Sequence, residues 1–164
     1  LQLYMHGGVS FEPYRAEFDA LIGGTRLPFD CLETYNASEG FFGLQDRLDG
    51  EDMLMMLDYG IYFEFVPMSE WDSESPHALE LRELEVGEEY ALVISTNAGL
   101  WRYALGDVVR IMETHPFRMQ VVGRTTSYLN AFGEEVMVAQ AERAIAEAST
   151  LADCLLYTSP SPRD

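Results

Sequence analysis

Eleven consecutive residues restrict the fold of this chain more than any others: Glu33-Thr34-Tyr35-Asn36-Ala37-Ser38-Glu39-Gly40-Phe41-Phe42-Gly43. They follow an apolar run ending in Leu32 and combine aromatic rings, a hydroxyl, carboxylates and two glycines. A solvent loop has little use for so many rings, and a core strand has little use for Ser38-Glu39-Gly40. Two readings follow. In one, a strand ends at a site, with a ring to stack on a ligand, a carboxylate to hold a metal, and glycines that let backbone come close. In the other, the segment is a strand-to-turn corner whose aromatics are core.

The flanking sequence predicts a mixed α/β fold. Residues 1–5 read as a buried strand, followed by His6-Gly7-Gly8. Residues 11–22 carry Phe11, Tyr14, Phe18, Leu21 and Ile22 at helical spacing, with Ser10 as N-cap and Gly23-Gly24 as stop. Strand, glycine turn, helix is the shape of a ligand-facing edge in an α/β sheet. Residues 29–35 are the next strand. Residues 46–52 read as a loop, and 53–57 with 61–66 as a hairpin closed by Asp58-Tyr59-Gly60. Residues 90–122 are mostly β: strands over 90–96, 108–112 and 117–122, with turns expected at 123–127 and 130–135. Residues 135–148 are helix formers with Val138, Ala141, Ala144, Ile145 and Ala148 along one side, a helix expected to be weakly anchored.

Charge narrows the partners. All ten basic residues are arginine, against 28 acidic ones, for a formal net charge of −18. Such a surface disfavours nucleic acid and anionic membranes. It also fits a salt-adapted source, where the self-repulsion of a dense acidic surface is screened. No apolar run approaches the roughly 20 residues of a membrane helix. Cys31 in an apolar strand points weakly to a reducing compartment, hence a cytoplasmic location. The second cysteine, Cys154, opens a segment to Asp164 that ends in Pro-Ser-Pro-Arg-Asp and matches one reading frame of a transposase sequencing adapter. That segment is set aside from fold reasoning as adapter-derived.

Three blocks occur in order: Tyr35-Asn36-Ala37-Ser38-Glu39-Gly40, then Trp101-Arg102-Tyr103-Ala104-Leu105-Gly106-Asp107, then Gly123-Arg124 with Asn130-Ala131-Phe132-Gly133-Glu134-Glu135. This arrangement resembles the acyl-adenylate-forming superfamily, and most closely its Gretchen Hagen 3 branch, the auxin-responsive acyl-acid amido synthetases, in a bacterial-type member. His6-Gly7-Gly8-Val9, Tyr62-Phe63-Glu64-Phe65 and Ser95-Thr96-Asn97-Ala98-Gly99-Leu100 look like the same branch. The resemblance implies a fragment of the large adenylation domain over residues 1–123, a mixed sheet plus a β-rich subdomain. The hinge and the start of a small C-terminal domain would follow over 124–153.

The resemblance also implies an ATP-dependent ligase that activates a small carboxylic acid as acyl-AMP and transfers the acyl group to an amino acid amine. Its cofactors would be ATP and Mg²⁺, a cation that takes one or two carboxylates and keeps several waters. By resemblance, Glu39 is the metal-facing acid and Ser38 the hydroxyl near the phosphate. Tyr35 is the aromatic at the adenine, Asp107 the acid on the ribose hydroxyls, and Arg124 the arginine beside ribose and phosphate. Gly7 and Gly8 form a loop whose backbone approaches the nucleotide, and Thr125 and Thr126 fall at the hinge. The phosphate loop and the catalytic lysine of the family have no counterpart in this sequence, so the chain alone is expected to be inactive. A thioester-forming ligase of the acyl-CoA type and a non-catalytic nucleotide-binding relative are the alternatives.

Overall fold

The computed structural model describes residues 3–8, 15–22, 30–48, 50–125, 128–131 and 134–137, together with 144 and 148. In chain order the elements are β1 (Leu3–Gly7), α1 (Arg15–Ile22), β2 (Asp30–Ala37), β3 (Gly40–Leu44), β4 (Met53–Met55), β5 (Ile61–Pro67), β6 (Glu89–Thr96), β7 (Tyr103–Thr114) and β8 (Phe117–Arg124). A two-stranded hairpin of β9 (Tyr128–Ala131) and β10 (Glu134–Met137) follows.

The first eight strands form one sheet in the order β1-β2-β3-β4-β8-β7-β6-β5. Only β1 and β2 run parallel, which requires a crossover between them, and α1 lies in it. Phe18 of α1 packs on Tyr4 of β1, with ring centroids 4.8 Å apart. Every other neighbouring pair in the sheet is antiparallel. The mixed sheet predicted from the sequence is therefore present. It is one continuous sheet, however, and the β-rich second half is not a separate layer.

Side-chain contacts show that this sheet curls. Strands β3 and β5 are five places apart, about 24 Å if the sheet were flat. Yet the rings of Phe42 on β3 and Phe63 on β5 meet edge to face at 6.2 Å. The concave side encloses the main core: Tyr35, Phe42, Met53, Met55, Phe63, Phe65, Tyr90, Leu92, Ile94, Val109, Ile111 and Met119. Alternate residues of β5 and β6, Val66, Ala91 and Val93, make a smaller cluster on the other face with Met68, Trp71 and Ala78. The edge of β5 is covered in part by Leu79, which exchanges both backbone hydrogen bonds with Phe65.

Several expectations are corrected. The hairpin of 53–57 with 61–66 does not form. Instead β4 is only three residues long and pairs with β3 and β8, while β5 pairs with β6. The reason is burial: Met53 and Met55 join Phe42 and Met119 in the core, and a seven-residue ladder to β6 satisfies β5. Strand β1 is not buried; Leu3 and Met5 are exposed because it is the end strand of the sheet. Strand β7 runs unbroken through Gly106-Asp107, and β8 continues through the Gly123-Arg124 expected as a turn. Residues 128–131 and 134–137 are strands, so the predicted helix does not start at Glu135. Ala144 and Ala148 are helical and exposed. The rest of that helix, the caps of α1, residues 11–14, Thr126 and the segment from Cys154 lie outside the described residues.

Candidate functional site

The Gly106-Asp107 pair sits at a break in the β6–β7 ladder. Ala91 pairs with Val108 and Val93 with Ala104, so Leu105, Gly106 and Asp107 bulge opposite Leu92 alone. A bulge of this kind needs a left-handed backbone, and Gly106 supplies it at φ 87°. The bulge re-aims the next side chain, that of Asp107. Directly across on β8 is Arg124, the register partner of Asp107.

Three blocks remote in sequence meet at the Asp107 carboxylate. Tyr35 donates its hydroxyl to Oδ2 of Asp107 at 2.7 Å. Arg124 Nε lies 3.1 Å from Oδ1. Strands β2 and β7 are four places apart in the sheet, about 19 Å if flat, so the curl of the sheet is what closes this contact. The carboxylate is 17% exposed while the Arg124 side chain is 62% exposed. The chain then turns at Thr125, which is buried; its amide donates to the Gly106 carbonyl at 2.8 Å and its hydroxyl to the same oxygen at 3.4 Å.

Tyr35 is part of the core, 8% exposed, with its ring tilted against Phe42 at 5.0 Å. Burial, foremost, and the hydrogen bond and charge of Asp107 raise its phenol pKa well above the usual value. The negative charge of Glu39 pushes in the same direction and Arg124 opposes it, so both groups act on this hydroxyl. Ser38 and Glu39 form the two-residue turn between β2 and β3, with Ser38 exposed and Glu39 half-buried. The strand-to-turn reading of the opening stretch has a counterpart in Tyr35 and Phe42, which are core, and the turn that follows is polar and lies within electrostatic reach of Tyr35.

The glycines after β1 have local reasons. A Cβ on Gly7 would stand 2.4 Å from the Thr34 carbonyl oxygen and 2.8 Å from its hydroxyl, so β1 and β2 could not approach. Gly8 has φ 89° and open space around it, a position that favours glycine by backbone conformation alone. On β2, Glu33 is half-buried, and burial raises its carboxyl pKa above 4.5. Its backbone is clamped by Gln45, whose amide donates to the Glu33 carbonyl and whose side-chain oxygen accepts from the Glu33 amide, both at 2.8 Å.

A raised carboxyl pKa means the folded state holds this proton more tightly than the unfolded chain. The stabilisation it contributes is complete below the ordinary value and is lost as pH rises through the raised one. Glu33→Gln is therefore expected to make the protein more stable than wild type at pH 7. The gap should close at pH 4. Urea midpoints at the two pH values check this, and an equal midpoint at pH 7 would count against it.

Among the described residues, no group of three or more His, Cys, Asp or Glu is arranged to hold a metal. A single carboxylate such as Glu39 fits Mg²⁺ only if phosphate oxygens and water complete the shell. No helix among the described residues is long and apolar enough to cross a membrane. A separate cavity of about 350 Å³ opens beside Met68, Gly87 and Arg110 and contains none of the residues singled out from the sequence. Sequence reasoning missed the role of Thr125 in tying the end of β8 to Gly106. The signal was the glycine before Asp107, whose freed carbonyl accepts both bonds.

Residues 54–124 match the GH3 family central domain. The chain is 38% identical over 147 residues to an indole-3-acetic acid-amido synthetase, GH3.8, of Oryza sativa subsp. indica, covering 81% of this chain and 24% of that protein. It is 37% identical over 112 residues to the jasmonoyl–L-amino acid synthetase JAR4 of Nicotiana attenuata, covering 65% of this chain and 18% of that protein. Among solved structures, the GH3.15 acyl acid amido synthetase superposes with a TM-score of 0.68 at 21% identity, over 87% of this chain and 25% of that one. That likeness establishes the shared fold. The chain spans about a quarter of the length of the first curated relatives it matches. Through residues 54–124, which carry Asp107 and Arg124, the chain belongs to the GH3 family.

Proposed function

We propose that this chain is part of an ATP-dependent acyl-acid amido synthetase. The observation that carries the reading is the Asp107 carboxylate, held from a bulge by Tyr35 and Arg124, which come from blocks 72 and 17 residues away in sequence. A carboxylate so placed can accept from two adjacent ribose hydroxyls, which no neutral side chain does as well. The exposed guanidinium of Arg124 stands ready for the phosphate side of the same nucleotide. Tyr35 borders the nucleotide, Ser38 and Glu39 face its phosphates, and Gly7 and Gly8 bring backbone near it. Mg²⁺, bound through ATP and Glu39, would neutralise charge where two anions meet.

In the first half-reaction a carboxylate oxygen of the acid bonds to the α-phosphorus of ATP and pyrophosphate leaves. In the second an amino acid nitrogen bonds to the acyl carbon, loses a proton, and AMP leaves. The relatives, an indole-3-acetic acid-amido synthetase and a jasmonoyl–L-amino acid synthetase, support an acid and an amino acid as substrates here. The large domain would end near residue 123, with Thr125 and Thr126 as the hinge to a smaller one. A cytoplasmic location accords with this chemistry. The bacterial-type assignment and the adapter origin of 154–164 rest on the sequence alone, the relatives named above being plant proteins.

The test uses the full-length protein. Exchange of pyrophosphate into ATP is expected to depend on added carboxylic acid, and amide is expected once an amino acid is supplied. Absent or acid-independent exchange would overturn the reading.

A further inference from the structure

We propose that Tyr35 is a positioning residue for Asp107: its hydroxyl holds one carboxylate oxygen so that the other can exchange Arg124 for the vicinal hydroxyls of a ribose. This rests on the nucleotide reading above and adds the residue that sets the preference for a diol.

The two bonds to Asp107 are unequal. Tyr35 is 8% exposed, and its ring lies against Phe42 in the core. A ring placed this way offers little open face to a base, and what it presents to the site is the hydroxyl. That hydroxyl is 2.7 Å from Oδ2, in a partly buried hydrogen bond. Burial and the adjacent carboxylate raise the phenol pKa, so it remains a donor across the physiological range. Arg124 reaches Oδ1 at 3.1 Å from a side chain that is mostly in solvent, where water competes for both partners. An incoming pair of hydroxyls therefore meets one fixed oxygen and one exchangeable oxygen. Without the tyrosine hydroxyl the carboxylate is free to rotate, and Oδ1 is no longer held in one direction toward the diol.

Tyr35→Phe removes a single oxygen and keeps the ring that packs on Phe42. The full-length protein is titrated by NMR with AMP and with 2′,3′-dideoxy-AMP. Wild type is expected to prefer AMP by about tenfold, the scale of hydrogen bonds to a charged group. Tyr35→Phe is expected to lower that preference to about twofold. A folded Tyr35→Phe with undiminished preference overturns this inference and leaves the nucleotide reading intact. Wild type that fails to bind AMP, or binds both compounds equally, overturns the nucleotide reading and this inference with it. A readout on wild type guards against a variant that does not fold. AMP should shift the Arg124 Nε–H resonance and keep the Tyr35 hydroxyl proton protected, and dideoxy-AMP should leave Arg124 unmoved. Loss of the Tyr35 proton with Arg124 unchanged on adding AMP is the opposite result and overturns the inference.

Discussion

Phe42→Ala is expected to lower the unfolding free energy by about 3–5 kcal/mol. Phe42 is fully buried and touches its neighbour strand and the far edge of the curled sheet: Tyr35 on β2 at 5.0 Å and Phe63 on β5 at 6.2 Å. Neighbouring groups cannot slide into the space it would leave. Strand β3 is pinned by ladders to β2 and β4, and Gly40 beside it is already so crowded that a Cβ would meet Ile61 at 2.7 Å. The full cavity term should therefore appear, a large part of the roughly 5–15 kcal/mol by which a domain is usually stable. The same substitution removes the wall behind Tyr35, so binding at Asp107 should weaken as well. Urea unfolding measures the first effect. A loss below about 1 kcal/mol would show that β3 and β5 are not joined through this ring.

Arg118→Ala is expected to cost about 3 kcal/mol, the lower end for breaking a buried ion pair. The side chain is 2% exposed on β8 and holds three carboxylates. Nη2 contacts both oxygens of Asp46 at 2.8 and 2.9 Å, Nη1 contacts Asp52 at 3.0 Å, and Nε stands 3.5 Å from Glu113. Removing the cation leaves Asp46, Asp52 and Glu113 facing one another. Part of the penalty is relieved because Asp46 and Glu113 reach solvent. Arg118→Lys should recover little, because one ammonium cannot bridge two carboxylates in the fork geometry. Since Asp46 and Asp52 bracket the loop between β3 and β4, both variants should also expose residues 45–52 to protease. An Arg118→Lys protein as stable and as protease-resistant as wild type would refute this account.

Residues 33–43 illustrate how much could be read in advance. Their rings, polar turn and glycines predicted a strand that leads into a turn, and β2, Ser38-Glu39 and β3 follow that plan. The motif order placed Tyr35, Asp107 and Arg124 in one family pattern, and the structure brings these three together. Other readings failed for a common reason. Period-two alternation shows which residues of a strand share a face but is silent on which strand lies alongside. The apolar runs 53–57 and 61–66, with a short polar link, therefore looked like a hairpin. Likewise Gly123-Arg124 looked like a chain break, because glycine beside a charged residue marks a turn more often than a strand.

Local chemistry was thus decided along the chain: where glycine is needed, where a polar turn interrupts the apolar runs, and which residues fall in the family's blocks. The curl of the sheet was decided only in three dimensions. It buries Tyr35 and leaves its hydroxyl as the functional end, and burial in this sheet turns Arg118 from a surface arginine into a pin. Those outcomes depend on which apolar faces meet across five strands, a sum of long-range contacts that no window of sequence contains.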